Sequence, residues 1–269
     1  MNNKNKKLAL ICGAPRSGST LLYNSICSSN IFNSGLTENH FIPNIINLLK
    51  KQLQRNEKED FMHFENHNST VNFFTKIIND YLDKLYIRYE VNNLCLKSIL
   101  FSTEVNLISK LLPSVYLIFI IRDPKDIISS MLNVSKKQIK LGLKPNYPRD
   151  MQSLCSFIKG HYNYILSTEK ENINPNLILV KYEDLVLNTL EILNALIKKL
   201  NLEYVFKNDD NLWLKAPKFS EPSTNPYHSN LWNKKPNSSK IGSYKDELTN
   251  KEIDFVNHTC SDLINKFDY

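Results

Sequence analysis

Gly13-Ala14-Pro15-Arg16-Ser17-Gly18-Ser19-Thr20 carries two glycines at the spacing of a phosphate-binding loop, GxxxxG. Between a strand and a helix, such a loop turns several backbone N–H groups onto one anion. The helix N-terminus adds about half a positive charge. Ser17, Ser19 and Thr20 supply hydroxyl donors. Arg16 supplies a fixed cation whose forked donors suit phosphate or sulfate oxygens. A nucleoside triphosphatase has Lys directly after the second glycine, where this chain has Ser19, so the side chain that reaches β- and γ-phosphates is missing. The loop therefore suits a terminal phosphate or a phosphosulfate. A generic Gly-Ser turn is the bland alternative.

The flanking residues supply the elements such a loop needs. Leu8 to Cys12 is a continuous apolar run that predicts a buried parallel strand. Ser19 to Cys27 carries Leu21, Leu22 and Ile26 at helical spacing. Val115 to Ile121 is the most apolar stretch and predicts a central strand. Asp123-Pro124 then reads as an N-cap acid followed by Pro at the first helical position. Leu94–Leu96 and Leu177–Val180 predict further strands, the latter buried. Helices are predicted over 41–54, 71–86, 104–112, 151–170, 191–200 and 251–267, with loops over 143–150 and 216–242. Alternating strands and helices predict an α/β chain: a P-loop-like three-layer fold with a central parallel sheet flanked by helices. Residues 1–269 read as a single domain without repeats.

Composition excludes several classes. Hydrophobic residues make up 42% and charged residues 23%, so a folded core is expected. The net charge of +7 fits an anionic ligand. The lysines are scattered, which argues against nucleic acid. Cys12, Cys27, Cys95, Cys155 and Cys260 are odd in number and lack CxxC spacing, so reduced buried thiols are expected, with no metal site. No run approaches the roughly 20 apolar residues of a membrane span. A soluble cytoplasmic chain is the resulting expectation.

A second anchor follows the central strand. Arg122 stands at the end of Ile121-Arg122-Asp123-Pro124, and Ser130 lies eight residues later. Together with Pro15-Arg16-Ser17-Gly18-Ser19-Thr20-Leu21, this pattern resembles sulfotransferases that use 3′-phosphoadenosine 5′-phosphosulfate (PAPS). The resemblance assigns the loop to the 5′-phosphosulfate and Arg122 with Ser130 to the 3′-phosphate. Within the superfamily the motifs are most similar to tyrosylprotein sulfotransferases. That likeness makes Lys97, twenty-five residues before Arg122, the catalytic Lys, and Glu38, five before Pro43, the catalytic carboxylate. It gives Ser229, six before Lys235, a place near the bridging oxygen. It also packs Tyr182 near the adenosine and offers Lys240 or Lys245 as a donor contact. The chain departs from that group in having no Cys near Glu38 to pair with Cys95, and in having Gly242-Ser243-Tyr244 where the family has Gly-x-Trp.

Sulfuryl transfer needs positioning and charge stabilisation more than covalent help. Arg16 and Lys97 would neutralise charge growing on the bridging oxygen, and Glu38 would take the acceptor proton. His40 is the alternative base, and Glu38 has a bland reading as an acid near a helix start. The expected co-substrate is PAPS without a metal. The expected partner is a small-molecule, glycan or peptide acceptor carrying a hydroxyl or amine, with homodimer formation left open and neither nucleic acid nor membrane involved. A P-loop kinase and a non-catalytic nucleotide-binding module are the competing functions.

Overall fold

The computed structural model describes residues 6–54, 63–167, 174–208, 225–227 and 234–269. Four strands form one parallel sheet in the order β2-β1-β3-β4. They are β1 (Lys7–Cys12), β2 (Asn93–Lys97), β3 (Tyr116–Ile121) and β4 (Leu177–Lys181). The inner strands are the ones whose sequences contain no polar residue beyond their first positions. Along β1 and β3, alternate residues enter two different cores. Leu8, Leu10, Leu117 and Phe119 face one, and Ala9, Ile11, Ile118 and Ile120 face the other. Each such side chain contributes roughly 1.5–3 kcal/mol on burial, so both faces must be covered.

The helices that cover them follow the sequence signals. On one side lie α1 (Ser19–Cys27), α7 (Tyr182–Leu187) and α8 (Thr189–Lys199). On the other lie α2 (Phe41–Leu53), α3 (His67–Tyr89), α4 (Val105–Leu111), α5 (Pro124–Lys140) and α6 (Met151–Ser167), with α9 (Asn250–Thr259) and α10 (Ser261–Phe267). This is the predicted three-layer α/β arrangement.

Three expectations need correction. β4 lies at the edge of the described sheet and is not fully buried; Leu179 is 40% exposed, with a described strand beside it on the β3 side only. The helix expected over 71–86 starts at His67, because Asn66 and Ser69 form a reciprocal capping box. The single C-terminal helix is two, which meet at Cys260, itself buried against the core. The five cysteines are free and buried. No described helix is long and apolar enough to cross a membrane.

Strand order determines where a ligand can sit. The chain leaves β1 to build β2 on one side, then returns to build β3 on the other. The connections after β1 and β3 therefore diverge and leave a crevice at the strands' carboxyl ends. Gly13–Gly18 follows β1 there, and Arg122 follows β3.

Candidate functional site

The loop after β1 is held against β3 by contacts that tolerate no side chain. A Cβ on Gly13, at φ +137°, would lie 2.6 Å from the Ile120 carbonyl oxygen. A Cβ on Gly18, at φ +102°, would lie 2.5 Å from Cδ2 of Tyr182. Arg16 also has a positive φ, 69°, which costs a non-glycine residue about 1–2 kcal/mol. Strain of this kind persists where the surroundings over-determine it, and it clusters at functional sites.

Arg16 and Arg122 meet although 106 residues separate them. Arg122 Nη1 donates to the Arg16 carbonyl at 3.1 Å, and Arg16 Nε donates to Ser130 Oγ at 3.1 Å. Burial lowers the Arg16 pKa, and the nearby Arg122 charge lowers it further, against the opposing influence of Tyr147 and Tyr227. Arg122 is buried and Arg16 half-buried, and two cations this close favour an anion beside them. Two buried polar atoms here lack a hydrogen-bond partner among the described residues: Ser17 Oγ and Arg122 Nε. Each orphan costs about 1–3 kcal/mol, a cost that anionic oxygens would offset. The guanidinium of Arg122 also lies over the ring of Tyr182, 4.2 Å from its centroid. Ser19 is buried and Thr20 half-buried at the start of α1, where the first N–H groups have no intrahelical partner.

Asp126, an acid in the first turn of α5, does more than favour a positive helix end. Its Oδ2 lies 3.6 Å from Arg122 Nη2. Its oxygens accept from the Gly242 amide at 2.9 Å, the Tyr244 amide at 3.0 Å and Ser243 Oγ at 3.3 Å. One carboxylate thus ties residues 242–244 to the second anchor. Lys240 reaches Arg122 through its carbonyl oxygen, with its side chain exposed. Its ammonium acts electrostatically on Lys137, whose pKa is lowered by burial, then by Arg16 and Lys240. Lys245 is exposed in the following turn.

Glu38 and Lys97 come together on the β2 side. Lys97 Nζ lies 3.2 Å from Glu38 Oε2, and the Ile99 amide donates to Oε1 at 2.7 Å. Lys97 is buried at the end of β2, and Glu38 is half-buried. His40 is exposed and precedes α2, away from these bonds. The Glu38 pair and the arginine pair share one neighbourhood: Tyr147 has its pKa raised by burial, then by Tyr227, with Arg16 opposing and Glu38 adding to the rise. Tyr227 is fixed beside Arg16, whose Nη1 donates to its carbonyl at 3.3 Å. Ser229 lies outside the described residues. Sequence reasoning missed Lys137, Tyr147 and Tyr227. For Lys137 a signal existed, since it lies seven residues after Ser130 on the same face of α5. The two tyrosines lie in loops, where no periodicity marks them. No group of three or more His, Cys, Asp or Glu residues that could hold a metal occurs among the described residues.

A family model described as "Sulfotransferase family" matches residues 9–206. A comparison with curated proteins found no significant match. Among solved structures, the sulfotransferase domain from the Synechococcus PCC 7002 olefin synthase has a TM-score of 0.59 at 17% identity, covering 96% of both chains. The sulfotransferase domain from the curacin biosynthetic pathway has a TM-score of 0.57 at 17% identity, covering 95% of this chain and 98% of that one. Mouse sulfotransferase SULT7A1 complexed with PAP has a TM-score of 0.55 at 13% identity, covering 98% of this chain and 86% of that one. These likenesses establish the shared fold.

Proposed function

The chain belongs to the sulfotransferase family, and we propose that it moves the sulfuryl group of PAPS to a hydroxyl or amine acceptor by in-line transfer. One observation carries the choice of donor: Arg122 Nη1 bonds the Arg16 backbone at 3.1 Å while Arg16 Nε bonds Ser130. Two cations from distant segments thus form one anion-binding surface, beside which Ser17 Oγ and Arg122 Nε are unsatisfied. A donor with phosphate at its 3′ position and phosphosulfate at its 5′ position fits a two-point grip of this kind. Tyr182, stacked under Arg122, is given a place near the adenosine by resemblance.

Each residue then has a role. Arg122 and Ser130 hold the 3′-phosphate. Ser17, Gly18, Ser19 and Thr20 cradle the 5′-phosphate through amides and hydroxyls. Arg16 and Lys97 neutralise charge on the bridging oxygen as its bond to sulfur breaks. Glu38 takes the acceptor proton as the new sulfur–oxygen or sulfur–nitrogen bond forms. The Lys97–Glu38 contact of 3.2 Å holds acid and base side by side before the acceptor arrives. Ser229 is given the bridging-oxygen contact by resemblance alone. Tyr147 and Tyr227 flank the acceptor, which makes an aromatic or alkyl alcohol a better fit than a bare ion.

Thermal shift tests the donor. 3′-Phosphoadenosine 5′-phosphate (PAP) should raise the melting temperature clearly more than ATP or AMP. Equal shifts would return the loop to a general nucleotide-binding role, and a larger shift with ATP would favour a kinase. Labelled PAPS offered to a panel of phenols, alcohols, amines and cell extract then identifies the acceptor.

A further inference from the structure

Glu38 is held by two groups of different character. One is the side-chain ammonium of Lys97, at 3.2 Å. The other is a backbone amide, that of Ile99, at 2.7 Å. A backbone donor fixes a carboxylate only as well as its own segment is fixed. Ile99 opens a short 3₁₀ turn, Ile99–Thr103, that leaves the sheet directly after β2. Such turns have poor internal hydrogen-bond geometry, so this one needs outside support.

That support is a chain of polar groups that the sequence analysis did not single out. Ser102 Oγ donates to the Ile99 carbonyl at 2.7 Å. His161 Nδ1 lies 2.7 Å from the same Oγ. A serine hydroxyl has a single proton. With that proton on the Ile99 carbonyl, the bond to His161 must run from Nδ1–H to Oγ. The sequence of donors is then His161 to Ser102 to Ile99, and the Ile99 amide in turn donates to Glu38. His161 is 4% exposed on α6, with the ring of Phe157 edge-on at 4.8 Å. Burial lowers its pKa to about 4, so at neutral pH it is an uncharged donor.

We propose that His161 and Ser102 are positioning residues for the catalytic base, acting through the Ile99 amide to aim the Glu38 carboxylate. Neither touches a reacting atom. The inference rests on Glu38 being the base. It goes beyond that role by assigning the base's orientation to a helix on the far side of the turn.

The test uses the intact chain. Asparagine at 161 can place an amide N–H where Nδ1–H stood, and leucine cannot. Hydrogen exchange at the Ile99 amide should speed up about tenfold in His161→Leu and in Ser102→Ala, and His161→Asn should restore it. Turnover, read with labelled PAPS and 2-naphthol or the acceptor found by screening, should fall about tenfold in both disruptive variants. It should recover with asparagine, while the PAP-induced thermal shift stays that of the wild type. In a Glu38→Gln background, His161→Leu should cost no further turnover. Unchanged Ile99 exchange in both disruptive variants overturns the proposal, as does a full extra loss in the Glu38→Gln background. If Glu38→Gln itself keeps wild-type turnover, the assignment of the base fails instead, which is a distinguishable result. If His161→Leu does not fold, Ser102→Ala carries the same comparison.

Discussion

Around Arg122, nearly every neighbour is a backbone group or a buried side chain: the Arg16 and Lys240 carbonyls, Asp126 and the Tyr182 ring. Around Glu38 the described partners are one amide and one lysine, and Tyr147 lies within electrostatic range. The first region hangs on the ends of the two inner strands, where register and burial leave little freedom. The second hangs on connections whose length and composition the sheet does not dictate. On the proposed function, the first region holds the donor and the second meets the acceptor.

The sharpest way to separate the regions is to remove the base. Glu38→Gln should lower turnover by roughly 10²–10⁴-fold, the usual contribution of a general base. PAP affinity, measured by calorimetry, should stay as it was. A joint loss of both would mean the two regions are one unit.

Arg122→Ala should do the reverse. It removes charge-assisted contacts and leaves Asp126 buried without its cation. PAP affinity should fall by about 10²-fold, or roughly 3 kcal/mol. A change under about 3-fold would break the two-point grip.

Acid should loosen the Glu38 side through His161. Burial lowers its pKa from 6.5 to about 4, so the unfolded chain takes the proton first. The resulting stability is fully present above pH 6.5 and is lost as pH falls from 6.5 to about 4, amounting to about 3 kcal/mol. Melting curves between pH 7.5 and 4.5 should therefore slope less in His161→Leu. An unaltered slope would show that this histidine titrates normally.

Gly18→Ala tests the donor side more gently. The strained φ and the approach of Tyr182 should cost roughly 1–3 kcal/mol, or about 2–5 °C in melting temperature. It should also shrink the shift PAP produces. A neutral outcome would mean that Tyr182 can move aside.

The same contrast explains what could be read from sequence. β1, β3 and the helix starts at Ser19 and Pro124 were legible because apolar runs and caps are local signals. Arg122 and Ser130 were legible through spacing along one helix. Family spacing singled out Glu38 and Lys97 separately, while their contact is tertiary. Asp126 looked like an ordinary acid in a first turn, and only the fold brings Gly242–Tyr244 to it. The edge position of β4 was hidden because an apolar run does not say how many neighbours a strand has.

The contact between Gly18 and Tyr182 bears on the order of assembly. Tyr182 immediately follows β4, the last of the described strands and, among them, a partner of β3 alone. A nascent chain can pair β1, β2 and β3 while Tyr182 is still unmade, yet its loop lacks the ring that braces Gly18. Nucleotide binding would then mature only once β4 has docked. From that point bound nucleotide would pull the equilibrium toward the completed fold by mass action, so the donor would also act as a folding ligand, rewarding only chains that have closed their sheet.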